Sequence, residues 1–530
     1  MEAGRPPYKA RDRTVTLPRQ GRRSRLCFVA MLTLFLAASL LAAPVDSVVL
    51  RVLSINDFHG ALGSRVLPWS NGRPIGGLAA LKGMMDSLEA DCGCPTLRFD
   101  AGDQLQGSLG SNLMYGRSVV EAMNLLGLDA AAIGNHELDW GADTLAARVA
   151  EARYAWLAAN VFDSTTGSRP AWARPYAIID KGPYRIGVVG YLTTATKSIV
   201  IERHVRGLEF REAPDAIADA LAAVKAAQPD FTVLVAHEGA FCDSLACKGE
   251  IVSLARQYDS TAFDLIVAGH THTLISTIQR GVPIVSARAN GTAVGVVDLV
   301  QAADGGRRWT VRVETVYADA VRPDSAAGEL VARYDAQTGP MARRVVANLA
   351  SALTTARGVE YTLGNLIADA QREAVGADFA LMNNGGIRRS LLAGPVTYSD
   401  LFELQPFGNQ MLRVRVNGAV VRRMVEHALA DGRPDAHLSG MRVRYDPARP
   451  QGQRVVEMRT VGGRLVRNDR TYTLAVSDFL FGGGSGYTMF AGLDYQVVDT
   501  GALEALVAWF ERQPGPVRGP SDKRWILVKR

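Results

Sequence analysis

An α/β layered architecture is predicted for this 530-residue chain by three observations. From Val48 to about Val321, short β-rich runs alternate with stretches of helical spacing. A second, similar alternation begins near Arg357. Hydrophobic residues at 48% and charged residues at 21% describe a globular chain whose length exceeds one ordinary domain.

The elements follow in order. "VVLRVLSI", "TLRF", "DAAAI", "RIGVVGY", "FTVLVA" and "DLIVAG" are the strand candidates of the first half, each rich in apolar and mostly β-favouring residues. "GLAALKGMMDSLEA" and "APDAIADALAAVKAA" carry helical spacing and good helix formers. "VPIVSARANGTAVGVVDLVQ" reads as two hairpin-like strands around Asn290-Gly291. Residues 324–350 are polar and helix-leaning, broken by Gly339-Pro340, and are expected to connect two domains. Beyond them, "LGNLIADAQREAV" and "NGAVVRRMVEHALA" predict helices, with strands continuing to "RWILVK". The expected organisation is a leader over 1–43, a first domain over 44–323, the connection over 324–350 and a second domain over 351–530.

The leader, "GRRSRLCFVAMLTLFLAASLLAAPVDS", joins a cationic stretch to an apolar run of 18 residues, Leu26 to Ala43, and then to small residues and proline. That is the pattern of a secretory signal peptide. Leu41 blurs the cleavage site, and an uncleaved signal anchor is the alternative. Export to a periplasm or the exterior is therefore expected, with no other membrane segment. The net charge of +6 sits in this leader: residues 1–43 hold eight Lys/Arg and two acids, and the remainder has 51 of each sign. A neutral remainder excludes a basic surface for nucleic acid and leaves the oligomeric state open. Four further cysteines, Cys92, Cys94, Cys242 and Cys247, suit disulfides in an exported chain. "CDSLAC" can close a small loop, whereas "CGC" can pair strained or bridge elsewhere; a zinc site from all four is the competing reading, against which the spacing speaks.

Five polar motifs sit at the carboxyl ends of the apolar runs. "SINDFHG" supplies Asp57 and His59, "RFDAGDQ" Asp103, "AIGNHELD" Asn135 and His136, "VLVAHEG" His237, and "LIVAGHTH" His270 and His272. Five of the eight histidines fall in these motifs. Ligands of open α/β sheets gather outside the carboxyl ends of strands, so groups scattered over the sequence would converge. Asp, His and Asn are donors for divalent ions, and a shared carboxylate can bridge two of them. Singly the motifs are weak, since "DFHG" is more often a turn; "GHTH" is stronger because alternate imidazoles on an extended segment face one way. Together, in this order, they predict a two-metal site.

This set, D-x-H, G-D, G-N-H-E, H and G-H-x-H, resembles the calcineurin-like metallophosphoesterases, and the mature chain as a whole resembles the exported 5′-nucleotidase family. "MNNGGIRRSL", "LQPFGNQM" and "DFLFGGGSGYTMF" are similar to that family's second-domain signatures. The resemblance implies a four-layer αββα sandwich, a connecting helix and a smaller α/β domain that binds nucleotide. It implies Asp57, His59 and His272 as ligands of one divalent ion (Zn, Mn or Co), Asn135, His237 and His270 of a second, and Asp103 as the bridge. Some members carry Gln where His272 stands. His136 matches a residue that contacts the phosphate, held by Asp139; a carboxylate partner raises an imidazole's pKa and favours the cation. Glu137 receives no role beyond a structural one.

In the second domain the resemblance implies Arg357, Asn384 and Arg388 around the phosphate and ribose, with Phe407 and Tyr487 sandwiching the base and Asp494 near the ribose. Arginine suits such oxygens because its fork donates paired hydrogen bonds. "GGGSG" is not followed by Lys-Ser/Thr and is no P-loop. Gly339-Pro340 is expected near a hinge that brings the two domains together. The expected function is release of phosphate from 5′-nucleotides by a metal-bridging hydroxide. Hydrolysis of UDP-sugars or 2′,3′-cyclic nucleotides, or of a carrier-bound thiosulfonate, stands as the alternative within enzymes, and a nucleoside-binding surface protein outside them. Phe407 and Tyr487 favour a nucleotide over a sulfur carrier, which offers no base to stack.

Overall fold

The computed structural model describes residues 46–243, 245–302, 307–356 and 358–528. The predicted signal peptide over 1–43 and the predicted substrate arginine Arg357 lie outside the described residues. β1 (Ser47–Ile55), β2 (Thr96–Asp100), β3 (Ala130–Ala132) and β4 (Ala155–Leu157) pair in parallel. β5 (Tyr176–Lys181), β6 (Tyr184–Leu192), β7 (Phe231–His237), β8 (Leu265–Ala268), β9 (Leu274–Gln279) and β10 (Val282–Ala287) form a second sheet, ordered β9-β10-β8-β7-β6-β5. β11 (Ala293–Gln301) and β12 (Arg307–Thr315) then return to complete the first sheet as β12-β11-β1-β2-β3-β4. The two strands around Asn290-Gly291 are therefore present but do not form a hairpin. Their turn, left-handed at both residues, carries the chain from one sheet to the other.

The continuous apolar runs reflect burial on both faces, as parallel strands require. One core lies between the sheets, with Leu50, Val52, Leu97 and Phe99 meeting Val188, Val233, Val235 and Val267. The opposite face of the first sheet packs on the helices Leu78–Cys92 and Arg117–Leu126, and that of the second on Asp215–Ala226. The result is the four-layer αββα sandwich. A Cβ at Gly190 in β6 would come within 2.4 Å of Leu157 in β4, so this approach of the two sheets admits only glycine. The cysteines pair locally, Cys92 with Cys94 and Cys242 with Cys247, which removes them as a shared zinc site.

Helix Ser325–Ala342 follows, capped by the Asp324 carboxylate. It runs through Gly339-Pro340 rather than breaking there; the proline sits in the last turn, so the bond it cannot donate and the crowding of its ring fall at the end of the helix. Ala327, Leu330 and Tyr334 bury this helix against the first half. Strand Val345–Leu349 leads into the second half, whose sheet comprises β13 (Phe379–Asn383), β14 (Gln410–Asn417), β15 (Ala436–Ser439), β16 (Thr471–Ser477) and β17 (Tyr495–Gly501) in the order β15-β13-β16-β14-β17. Helices Thr362–Val375 and Gly418–His427 cover it. No helix among the described residues is long and apolar enough to cross a membrane.

His437 in β15 is fully buried; its Nε2 meets Asn384 Oδ1 at 2.9 Å and the Tyr361 ring lies 4.2 Å away, edge to face. Burial, helped by the Arg524 charge, lowers its pKa from 6.5 to about 3. The unfolded chain takes up this proton below pH 6.5 and the folded chain does not until about 3, so stability is complete above 6.5 and declines as pH falls through that window. Between about pH 7 and pH 5 the loss should approach about 2 kcal/mol. Urea unfolding monitored at both pH values should show it, and His437→Gln should flatten that dependence.

Candidate metal centre and substrate cleft

The carboxyl ends of β1, β2 and β3 in one sheet and of β7 and β8 in the other open at the same edge of the sandwich. Asp57 and His59 follow β1, Asp103 follows β2, Asn135 follows β3, His237 ends β7, and His270 and His272 follow β8. Two groups form there. In Asp57, His59 and His272, and again in Asp103, His237 and His270, the donor atoms lie within 4.8 Å of one another. Asp103 Oδ2 stands 3.1 Å from His237 Nε2 and 4.0 Å from His59 Nε2, between the groups. Asn135 Oδ1 is 3.1 Å from His237 Nε2, which places it with the second group. The structure thus brings together all seven predicted ligands, in the predicted grouping.

Backbone geometry at the site is unusual. Asp57, His59, Asp103, His270 and His272 all have φ between 51° and 72°. Side chains other than glycine enter this left-handed region at a cost, and such residues persist only where the surroundings dictate them. Two of the imidazoles are also aimed. His59 Nδ1 lies 2.7 Å from the Gln106 carbonyl and His237 Nδ1 2.7 Å from that of Ala101. A ring nitrogen donating to a carbonyl fixes the tautomer and leaves Nε2 as the donor to a metal.

The electrostatics fit divalent cations. Asp57 and Asp103 are buried, and their charge partners are imidazoles: His272 for Asp57, and His59, His136 and His237 for Asp103. Burial raises Asp57, but His272 and His237 outweigh it and bring it to about 2. Burial likewise opposes the charge of Asp103, yet His237 and His136 hold it well below the carboxylate range. Buried Asp100, near the Glu137 and Asp57 charges, is pushed well above it. Concentrated buried carboxylate is stabilised by cations, and the oxygen and imidazole donors here suit divalent metal ions.

His136 opens a short 3-10 turn beside the ligands. Its Nδ1 lies 2.7 Å from Asp139 Oδ2. Burial works against the imidazolium, but the Asp139 and Asp103 carboxylates prevail and raise its pKa. Glu137, given no chemical role from sequence, is fully buried. It accepts the backbone N–H groups of Gly134, Asp103, Gln104 and Leu105 at 2.7–3.1 Å. It therefore shapes the loop that carries Asp103. Gly134 leaves room for that loop, because a Cβ there would lie 2.3 Å from the Asp103 backbone nitrogen.

Asp103, Asn135, His136 and His270 floor a cleft of about 230 Å³ whose far wall comes from the second half of the chain, through Asn383, Arg388, Phe407, Asn409, Phe479 and Ser485. The Phe407 ring stacks on His136 with centroids 5.5 Å apart, and the Arg388 guanidinium lies 5.6 Å from the Phe407 centroid. Three predicted residues stand elsewhere. Tyr487 is 3% exposed, packed against His427 and Phe490 behind the glycine turn; Phe479, eight positions earlier, is the aromatic that reaches the cleft. Asn384 turns to His437 and Asp435, and its neighbour Asn383 faces the cleft. Asp494 is exposed beside β17, where its backbone carbonyl accepts from Arg415 N. "DFLFGGGSGY" offered two earlier aromatics; the choice among them depends on the turn of Ser477–Phe481, which sequence spacing does not fix.

Known proteins match this arrangement. The family model of the 5′-nucleotidase C-terminal domain matches residues 341–492, and that of the bacterial capsule synthesis protein PGA_cap matches residues 95–285. The chain is 30% identical over 468 residues to Endonuclease YhcR of Bacillus subtilis, covering 83% of this chain but only 37% of that protein's length. It is 29% identical over 487 residues to a 5′-nucleotidase of Vibrio cholerae, covering 83% of this chain and 85% of the relative. The crystal structure of a 5′-nucleotidase precursor from Thermus thermophilus superposes with a TM-score of 0.81 at 26% identity, covering 91% of this chain and 99% of that one. With a relative and a solved structure aligned across both halves, and the second half matched by the C-terminal domain model, the chain belongs to the 5′-nucleotidase family of phosphohydrolases.

Proposed function

We propose that the chain is an exported phosphohydrolase that releases phosphate from 5′-nucleotides at a dinuclear divalent-metal centre. The observation that supports this most is the juxtaposition of seven metal-type ligands with an aromatic wall contributed by the other half of the chain. When bound, two divalent ions would polarise the phosphoryl oxygens and lower the pKa of the attacking water. Asp57, His59 and His272 would hold one, Asn135, His237 and His270 the other, and Asp103 both. His136, whose pKa is raised by the Asp139 and Asp103 carboxylates against the effect of burial, would donate a hydrogen bond to the phosphoryl group as negative charge develops. Arg388 donates to the phosphate or ribose oxygens. Phe407 and Phe479 stack on the base from the second half, with Ser485 and Asn383 facing the ribose. The domain boundaries follow the sequence: a catalytic unit over 44–323, the helical connection, and a nucleotide-binding unit over 351–530, with a signal peptide over 1–43.

The endonuclease activity named for the B. subtilis relative belongs to a protein of which this chain spans little more than a third. A cleft that takes one base against Phe407 and Phe479 would favour a mononucleotide over a polynucleotide.

Two outcomes test the reading. Chelation should abolish phosphate release from AMP, Mn, Zn or Co should restore it, and Asp103→Asn should lower kcat at least about 1,000-fold with fewer ions retained, because the shared ligand is lost. Phosphate assays and metal analysis read both. Phe479→Ala should raise the KM for AMP about 5- to 100-fold, the effect of about 1–3 kcal/mol per stacked base, whereas Tyr487→Phe should leave it within about twofold. The reverse ranking of these two variants would return the base to Tyr487.

A further inference from the structure

The loop after Asp103 makes a contact that neither the metal centre nor the aromatic cleft explains. Gln106, 1% exposed, donates its side-chain Nε2–H to the carbonyl of Pro406 at 3.1 Å. Asn112 donates its Nδ2–H to the same oxygen at 2.9 Å. Two amides of the catalytic half thus converge on one carbonyl of the second half, the residue immediately before Phe407. A carbonyl oxygen has two lone pairs and can satisfy both donors only from a defined direction. The Asn112 amide and the Gln106 backbone are themselves held. Asn112 Oδ1 accepts the N–H of Gly107 at 3.1 Å, and the Gln106 backbone carbonyl lies 2.7 Å from Nδ1 of the ligand His59.

We propose that Gln106 and Asn112 are positioning residues that form a closure catch. By seizing the Pro406 carbonyl they seat Phe407 over His136 and hold the nucleotide side of the cleft against the metal side. The catch rests on the reading of Phe407 as a base-binding ring. Arg65 also pairs with Glu403 across these walls at 3.1 Å, and the more exposed Arg203 reaches Asp478 at 3.5 Å. Gln106 is also the point where closure and ligand geometry meet, since one residue orients His59 through its carbonyl and grips the opposite wall through its amide.

Two variants remove the donors while keeping the rest. Asn112→Asp preserves the acceptor for Gly107 N and places oxygen, not N–H, against the Pro406 carbonyl. Gln106→Met preserves volume and the backbone carbonyl that His59 uses. In the full chain without nucleotide, amide hydrogen exchange of peptides spanning Leu404–Met411 should accelerate at least fivefold in both variants, with the Ala130–Asp139 segment unchanged. The KM for AMP should rise about fivefold or more while kcat stays within twofold and two ions per chain are retained. Unchanged exchange at Leu404–Met411 in both variants would overturn the catch. So would a fall in kcat at constant KM, which would assign both residues to the metal centre instead. If the unaltered chain does not hydrolyse AMP, the nucleotidase reading fails while the exchange measurement still decides the catch. Should Gln106→Met fail to fold, the half-buried Asn112→Asp carries the test.

Discussion

Burying several carboxylates at one point is the constraint on which the rest of this structure depends. Asp57, Asp100, Asp103 and Glu137 lie within one hydrogen-bonded cluster, each fully or nearly fully removed from water. Charge of one sign in a low-dielectric interior is destabilising unless it is protonated or opposed. The chain opposes it with imidazoles and with backbone N–H groups, and both require the carboxyl ends of two sheets to open at the same edge. The αββα sandwich provides that edge, because β1 to β3 and β7 and β8 end together. Left-handed backbone at five ligand positions is the local cost of turning each side chain inward.

The loop from Asp103 to Asn112 distributes this constraint outward. Its amides are gathered by Glu137, its Gln106 carbonyl aims His59, and its side-chain amides reach the second half. Gln104 is tied as well, since Tyr154 donates to its Oε1 at 2.6 Å. A loop held at so many points behaves as a rigid part of the site, despite carrying two glycines. The Glu137 bonds to the Asp103 and Gln104 amides are the tethers that bear directly on Asp103, the carboxylate between the two ligand groups.

Sequence carried the first half of this picture well, for a physical reason. Strands buried on both faces must be continuously apolar, so their ends are marked by the abrupt arrival of Asp, His and Asn, and every such ending proved to face the site. Where partners lie far apart in sequence the reading fell short. Asn290-Gly291 marks a turn, but local pattern does not say that its flanking strands join different sheets. Gly339-Pro340 has the composition of a break, yet the helix runs on to Ala342 with Thr338 and Gly339 buried. Glu137 looked inert because its partners are backbone amides some thirty residues upstream, and amides carry no sequence signature. Tyr487 and Phe479 differ only in which side of a glycine-rich turn they occupy, a matter of φ at Gly483, Ser485 and Gly486.

The division of labour between the halves explains why they must meet so closely. Metal-type ligands alone would present a generic phosphate site, open to any monoester that reaches it. The aromatic wall alone would hold a nucleoside without acting on it. Phe407 sits at the junction, stacked on His136 on one side and approached by Arg388, with its preceding carbonyl gripped from the catalytic half. Under the proposed function, a ring that touches His136 and also stacks on the base would make recognition of the base a condition for assembling the reactive arrangement. Binding energy from a remote, non-reacting part of the substrate would then be spent on orientation at the scissile bond, coupling specificity to rate.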